Sequence, residues 1–89
     1  MLVFRSGGRF KKEFRLAVKR GRDISKLQAV MRDLVEEKPL PARNRDHALA
    51  GGYVGHRECH IEPDWLLIYK LEPGVIIFTR TGNHSDLFG

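Results

Sequence analysis

Apolar residues recur every three or four positions through the first part of the chain, and they crowd into short runs through the last part. From Arg9 to about Arg20, Phe10, Phe14, Ala17 and Val18 mark one helical face, with Lys and Arg between them. Lys19 and Arg20 suit a helix C-terminus, and Gly21 suits the position just past it. Asp23 fits the N-cap of a second helix, in which Ile24, Leu27, Val30 or Met31, and Leu34 share a face until Pro39 and Pro41 stop it. Ahead of this helical pair, Met1–Phe4 is apolar and strand-compatible, and Ser6-Gly7-Gly8 ends it.

The remainder reads differently. KPLPARNRDHALAGG, residues 38–52, mixes Pro, Gly and Arg with little periodicity and reads as a long loop, of a length that often serves function. Three strands follow, at about Val54–Ile61, Trp65–Leu71 and Val75–Arg80. Glu62-Pro63-Asp64 and Glu72-Pro73-Gly74 supply the turns between them. The expected fold is one α+β domain over residues 1–89, with two N-terminal helices packed on a small, mostly antiparallel β-sheet.

Charge changes the picture by pointing to a partner. Sixteen Lys+Arg against 11 Asp+Glu give a net charge of +5, and much of the excess lies on the two helices. Such a balance favours an anionic partner: nucleic acid, an acidic protein or a membrane surface. A single cysteine excludes an internal disulfide. No apolar stretch approaches the roughly 18–20 residues of a bilayer span. The opening MLVFRSGGRFKK does not resemble a secretion signal, so the expected setting is the cytoplasm, without membrane attachment.

The candidate chemistry gathers around CHIEPDWLLIYK, residues 59–70. If both hairpin connections hold about three residues, Ile61 faces Trp65 and His60 faces Leu66. Leu71 then faces Val75, and Leu66 faces Arg80. His60, Asp64, Trp65 and Arg80 would meet at one end of the sheet, and His84 could fold back to join them. A zinc site fits poorly there. Cys59 points away from both His56 and His60, and the two histidines lie roughly 13 Å apart along one face. No metal or other cofactor is expected, and Cys59 reads as a small packed residue.

A metal-free group of His60, Asp64, Arg80 and His84 suits acid–base work on RNA, which carries its own nucleophile in the 2′-hydroxyl. Arginine would stabilise the crowded phosphate, and Trp65 would stack on a base. Each residue also has a plainer reading. Trp65 fits a core position, Asp64 an ordinary turn, and Arg80 a partner for Asp86 or Glu58. On composition and spacing alone the chain is a small basic α+β domain with RNA binding as an open option.

Several motifs narrow this. His47 in RDHALAGG, Gly55-x-Arg57 followed by His60, the block HIEPDWLLIYKL, and RTGNHSDLF together resemble the YafQ branch of the RelE-type mRNA interferase toxins. The resemblance is strong over residues 45–89 and weaker before them. It implies a microbial-RNase-like sheet and a toxin of a bacterial toxin–antitoxin pair that cuts mRNA in the ribosomal A site, and with the metal-free cluster above the expected cleavage needs no metal. By motif position the active-site set would be His47, His60, Asp64, Trp65, Arg80, His84 and Phe88. Asp64 would be the general base, His84 the general acid and Arg80 the phosphate ligand. His47 and His60 would position RNA or share proton transfer, and Phe88 would shape the pocket. His60 is the alternative base, because an aspartate with an ordinary pKa near 3.9 accepts a hydroxyl proton poorly. Lys11, Lys12, Arg15, Lys19, Arg20 and Arg22 would meet ribosomal RNA. The implied partners are a cognate antitoxin, the ribosome and mRNA. A non-catalytic ribosome- or RNA-binding module of the same fold is the competing expectation.

Overall fold

The computed structural model describes all residues, 1–89. Its elements run β1 (Val3–Ser6), α1 (Gly8–Lys19), α2 (Ile24–Val35), β2 (His47–Ala48), β3 (His56–Glu62), β4 (Trp65–Glu72), β5 (Val75–Gly82) and α3 (His84–Phe88). The five strands form one sheet in the order β1-β5-β4-β3-β2. Only the β1–β5 pair is parallel, and the rest are antiparallel.

Both long helices end as their residues dictate. Gly21 takes a left-handed φ of 75°, and the Arg22 amide donates back to the Ala17 carbonyl, which closes the α1 terminus. The Asp23 carboxylate then accepts the Ser25 amide at 3.1 Å and opens α2. The apolar faces of both helices cover one side of the sheet. There Phe10, Ala17, Leu27 and Leu34 pack with Cys59, Trp65, Leu67, Tyr69, Ile76 and Phe78. Each large side chain in that layer contributes roughly 1.5–3 kcal/mol through burial. Alternate residues of β4 face the other way, and Leu66 and Ile68 pack with Leu87 of α3, Leu49 and Tyr53. The central strand is therefore covered on both sides.

Four expectations are corrected. The 38–52 segment is not structureless: it holds a 3-10 turn at Ala42–Asn44 and strand β2, and a second 3-10 turn spans Gly51–Tyr53. That second turn, with Gly55 at a φ of 86°, delays β3 to His56. Both hairpin connections contain two residues rather than three, since Glu62 pairs with Trp65 and Glu72 with Val75. Bulges then reset the register. The bulge at Ile61 restores the His60–Leu66 pair. The irregularity at Thr79 leaves Arg80 opposite Ile68, and Leu66 opposite Gly82.

A histidine row at the end of the sheet

His84 is the first residue of α3, a short helix opened by a reciprocal capping box between Asn83 and Asp86. Gly82 leaves room for this turn, because a Cβ there would press on the Asp86 side chain at 3.0 Å. Asp64, in the two-residue turn before β4, accepts both the His84 amide at 2.9 Å and His84 Nδ1 at 2.6 Å. These two bonds hold the Asp64 carboxyl below the usual aspartate range, the backbone bond contributing most. Because the carboxylate takes Nδ1–H, Nε2 is the nitrogen of His84 left to work.

His60, in the middle of β3, stands next to it with ring centroids 5.8 Å apart. No protein group bonds the His60 ring, although its carbonyl accepts from the buried Asn44 amide at 2.7 Å. His47 follows at 6.4 Å from His60. It sits on β2 directly opposite Glu58, and its Nε2 meets the Glu58 carboxylate at 3.1 Å. Its Nδ1 meets the Arg45 carbonyl at 2.6 Å. Glu58 is buried, and its second oxygen has no partner. The segment bearing His47 is tied down through Asp46, which accepts from the Tyr69 hydroxyl and from Arg57. Burial, reinforced by that bond, pushes the Tyr69 phenol up from its ordinary pKa.

Of the residues expected at the site, His47, His60, Asp64 and His84 therefore form a continuous row with a carboxylate at each end. Phe88 is half-exposed and meets Tyr53 edge-on at 5.9 Å. The stacking expected of Trp65 is corrected: its ring is completely buried, its Nε1 donates to Thr81 Oγ1 at 3.0 Å, and the Arg22 guanidinium lies 5.1 Å from its centroid. It has no face free for a base because it fills the layer beneath the helices.

Arg80 is also engaged within the protein. Its Nε and Nη2 reach the two Glu13 oxygens at 2.9 and 2.7 Å, Nη1 reaches the Tyr53 hydroxyl at 2.8 Å, and Nη2 also meets the Asp86 carbonyl. The bond to Glu13 is the main reason that its pKa is raised. Neither Asp86 nor Glu58 supplies a carboxylate to it, contrary to the plainer sequence reading. Glu13, Tyr53, Asn44 and Asp46 are not singled out by the sequence, and Glu58 enters there only as a possible partner for Arg80. Glu13 alone left a signal, as an acid on the apolar face of α1, three positions after Phe10 and four before Ala17.

The basic helix borders a groove of about 940 Å³ lined by Arg9, Lys12, Arg15, Lys19, Arg20 and Arg22, among others. Arg20 is partly committed, pairing with Asp86 at 2.7 Å, and Arg22 approaches Glu62 at 3.7 Å. Cys59 is buried and its thiol is pushed up to about 12, mainly by burial, which makes it a poor nucleophile. No helix is long and apolar enough to cross a membrane.

Comparison with known proteins identifies the family of the chain. The chain is similar to the mRNA interferase toxin YafQ of Escherichia coli K12, with 47% identity over 83 residues that cover 92% of this chain and 90% of the relative. It superposes on the toxin in the crystal structure of the E. coli DinJ–YafQ toxin–antitoxin complex with a TM-score of 0.93 and 44% identity, over 99% of this chain and 98% of that one. A metal-bound toxin from Helicobacter pylori matches equally well in shape, with a TM-score of 0.93 at 38% identity, over 99% of this chain and all of the other. The family model for YafQ, the bacterial toxin of a type II toxin–antitoxin system, spans residues 3–89. On these matches the chain belongs to the YafQ toxin family.

Proposed function

We propose that this toxin is an endoribonuclease that cuts mRNA in the ribosomal A site, arresting translation in the cytoplasm until a cognate antitoxin binds it. The observation that carries the reading is the pair formed by His60, whose ring is free, and His84, whose Nε2 is free, with ring centroids 5.8 Å apart. In its neutral form His60 accepts the 2′-hydroxyl proton while the 2′-oxygen attacks phosphorus. Protonated His84 donates to the 5′-oxygen as the P–O5′ bond breaks. The products are a 2′,3′-cyclic phosphate and a 5′-hydroxyl, and no metal is required.

The lowered pKa of Asp64 argues against the aspartate as base and for a role in orienting His84. The charge that builds on phosphorus would be met by the protonated histidine and by Arg22, which lies close enough to Asp64 to help keep it ionised. Lys11, Lys12, Arg15 and Lys19 make no ion pair within the protein and would contact ribosomal RNA, together with Arg20 and Arg22.

The test is a reconstituted translation system, given EDTA-treated toxin and a defined mRNA, with and without programmed ribosomes and with cut positions mapped by primer extension. The magnesium that ribosomes need stays present, so only toxin-bound metal is removed. Cuts within A-site codons that require ribosomes support the proposal. Activity restored only by adding a transition metal back would contradict the metal-free mechanism. Ribosome binding without cuts would favour the non-catalytic module.

A further inference from the structure

We infer that Glu13 of α1 is a positioning residue for the proposed cleavage, acting through Arg80 to hold α3 and therefore His84 in place. The inference rests on the endoribonuclease reading for its kinetic consequence, but its structural part stands on the hydrogen bonds alone.

Glu13 is the only acid in α1, a helix otherwise studded with cations. An unpaired carboxylate on the apolar face of a helix would be costly, and here both oxygens are filled by the fork of Arg80. The two side chains are 14% and 6% exposed. The Thr81 amide also leans on Glu13 at 3.4 Å. From this fixed point Arg80 reaches the Tyr53 hydroxyl and the Asp86 carbonyl. Asp86 is the residue whose carboxylate caps α3 at Asn83 and pairs with Arg20, also at the end of α1. One helix thus grips α3 twice, at a backbone carbonyl through Glu13 and Arg80, and at a side chain through Arg20. His84 starts the same short helix, two residues before Asp86, and its amide and Nδ1 must both meet Asp64. A tilt of α3 would strain that pair of bonds.

This geometry assigns Arg80 work different from binding the scissile phosphate. To reach a substrate it would have to leave Glu13, Tyr53 and Asp86 together. If it did so, removing the charge of Glu13 would release it and help the reaction. If Arg80 and Glu13 instead form one hub, removing either has the same consequence, and removing both adds little.

The experiment compares wild type, Glu13→Gln, Glu13→Asp, Arg80→Gln and the Glu13→Gln/Arg80→Gln double variant. Folding is checked by thermal melts. The readouts are kcat and KM for programmed ribosomes, and the NMR signals of the His84 ring with its Nδ1 proton. The expected result for Glu13→Gln is a fall in kcat of about tenfold or more with KM little changed, because the reacting groups are misplaced and the binding surface is not. The His84 Nδ1 proton should exchange faster, and the double variant should be no worse than Arg80→Gln. Should Glu13→Gln fail to fold, Glu13→Asp carries the test: its shorter carboxylate pulls the hub back, and a smaller kcat loss with the same His84 change is expected. Activity of Glu13→Gln at or above the wild-type level, or additive losses in the double variant, would overturn the inference. So would an undisturbed His84 signal in whichever single variant folds. Wild-type protein that cuts nothing would fail the cleavage reading alone, and the His84 signals would still decide whether Glu13 positions the helix.

Discussion

The histidine row ends in two carboxylate–histidine pairs that look alike in a drawing and differ in the burial of the carboxylate and in the nitrogens left free. His84 and Asp64 are both open to solvent, with side-chain exposures of 52% and 66%, and the pair leaves one ring nitrogen of His84 unengaged. His47 is 46% exposed, but Glu58 beneath it is only 6% exposed, and both His47 nitrogens are taken. In the proposed mechanism the first pair exchanges a proton with the substrate, because Nε2 is free and water can resupply it. The second has no nitrogen to offer without giving up either the Arg45 carbonyl or its contact with the buried Glu58 carboxylate. Pairing alone does not make a histidine an acid or a base; the free nitrogen does. His60 lies between the two and is bonded to neither, and in the proposed mechanism it is the base that complements His84.

Substitutions should separate the two ends, and the largest effect belongs to the open pair. His84→Gln should lower cleavage by about 10²–10⁴-fold while moving stability by no more than about 0.5 kcal/mol, as befits an exposed residue. Single-turnover cleavage together with urea unfolding checks both halves. His47→Gln should do the reverse in emphasis. It weakens the only partner of a buried carboxylate and should destabilise by about 1–3 kcal/mol, with a loss of activity smaller than that of His84→Gln. Equal losses of activity at the two ends would break the distinction.

Tyr69→Phe probes how the closed end is built. It removes the hydroxyl that ties down Asp46, beside His47, and should cost about 1 kcal/mol. A thermal melt should show Tm lower by about 4–8 °C, with the His84 signals unmoved.

The smallest effect concerns pH and the open end. Asp64 is held below its ordinary pKa in the native state, so its contribution is fully present above the unfolded value of about 3.9. It is lost as the pH falls through the lower native value. Urea unfolding at pH 5 and at pH 3 should therefore show a smaller drop in stability for Asp64→Asn than for wild type. An equal drop would mean that the bonds from His84 do not favour the ionised form.

Much of this was legible in the sequence, and the limits are instructive. Gly21 and Asp23 gave the helix boundary because caps are decided by neighbouring residues. Pro63-Asp64 and Pro73-Gly74 gave the turns for the same reason. The His60–Leu66 pair was anticipated, yet through two departures that offset each other: a shorter turn and a bulge at Ile61. Beyond Thr79 no such offset exists, and Arg80 came out opposite Ile68 instead of Leu66. Bulges answer to packing across the whole sheet, which no local pattern encodes. The helix at His84–Phe88 and the strand at His47–Ala48 are too short for periodicity to reveal. For Trp65 the sequence offers both a stacking face and a core position, and the structure bears out the core position, since burial of an aromatic depends on which helix lies over it. The bond between Glu13 and Arg80 joins residues 67 apart in sequence. Only the misplaced charge on an apolar face announced it.

The central claim, that His60 and His84 divide the work as base and acid, is tested most directly by changing the leaving group. An mRNA carrying a 5′-bridging sulfur at the scissile phosphate releases a thiolate, which needs no proton from the enzyme. Single-turnover cleavage of that substrate on programmed ribosomes should restore most of the activity lost in His84→Gln and none of that lost in His60→Gln. Failure to rescue His84→Gln, or rescue of both variants alike, would contradict the assignment.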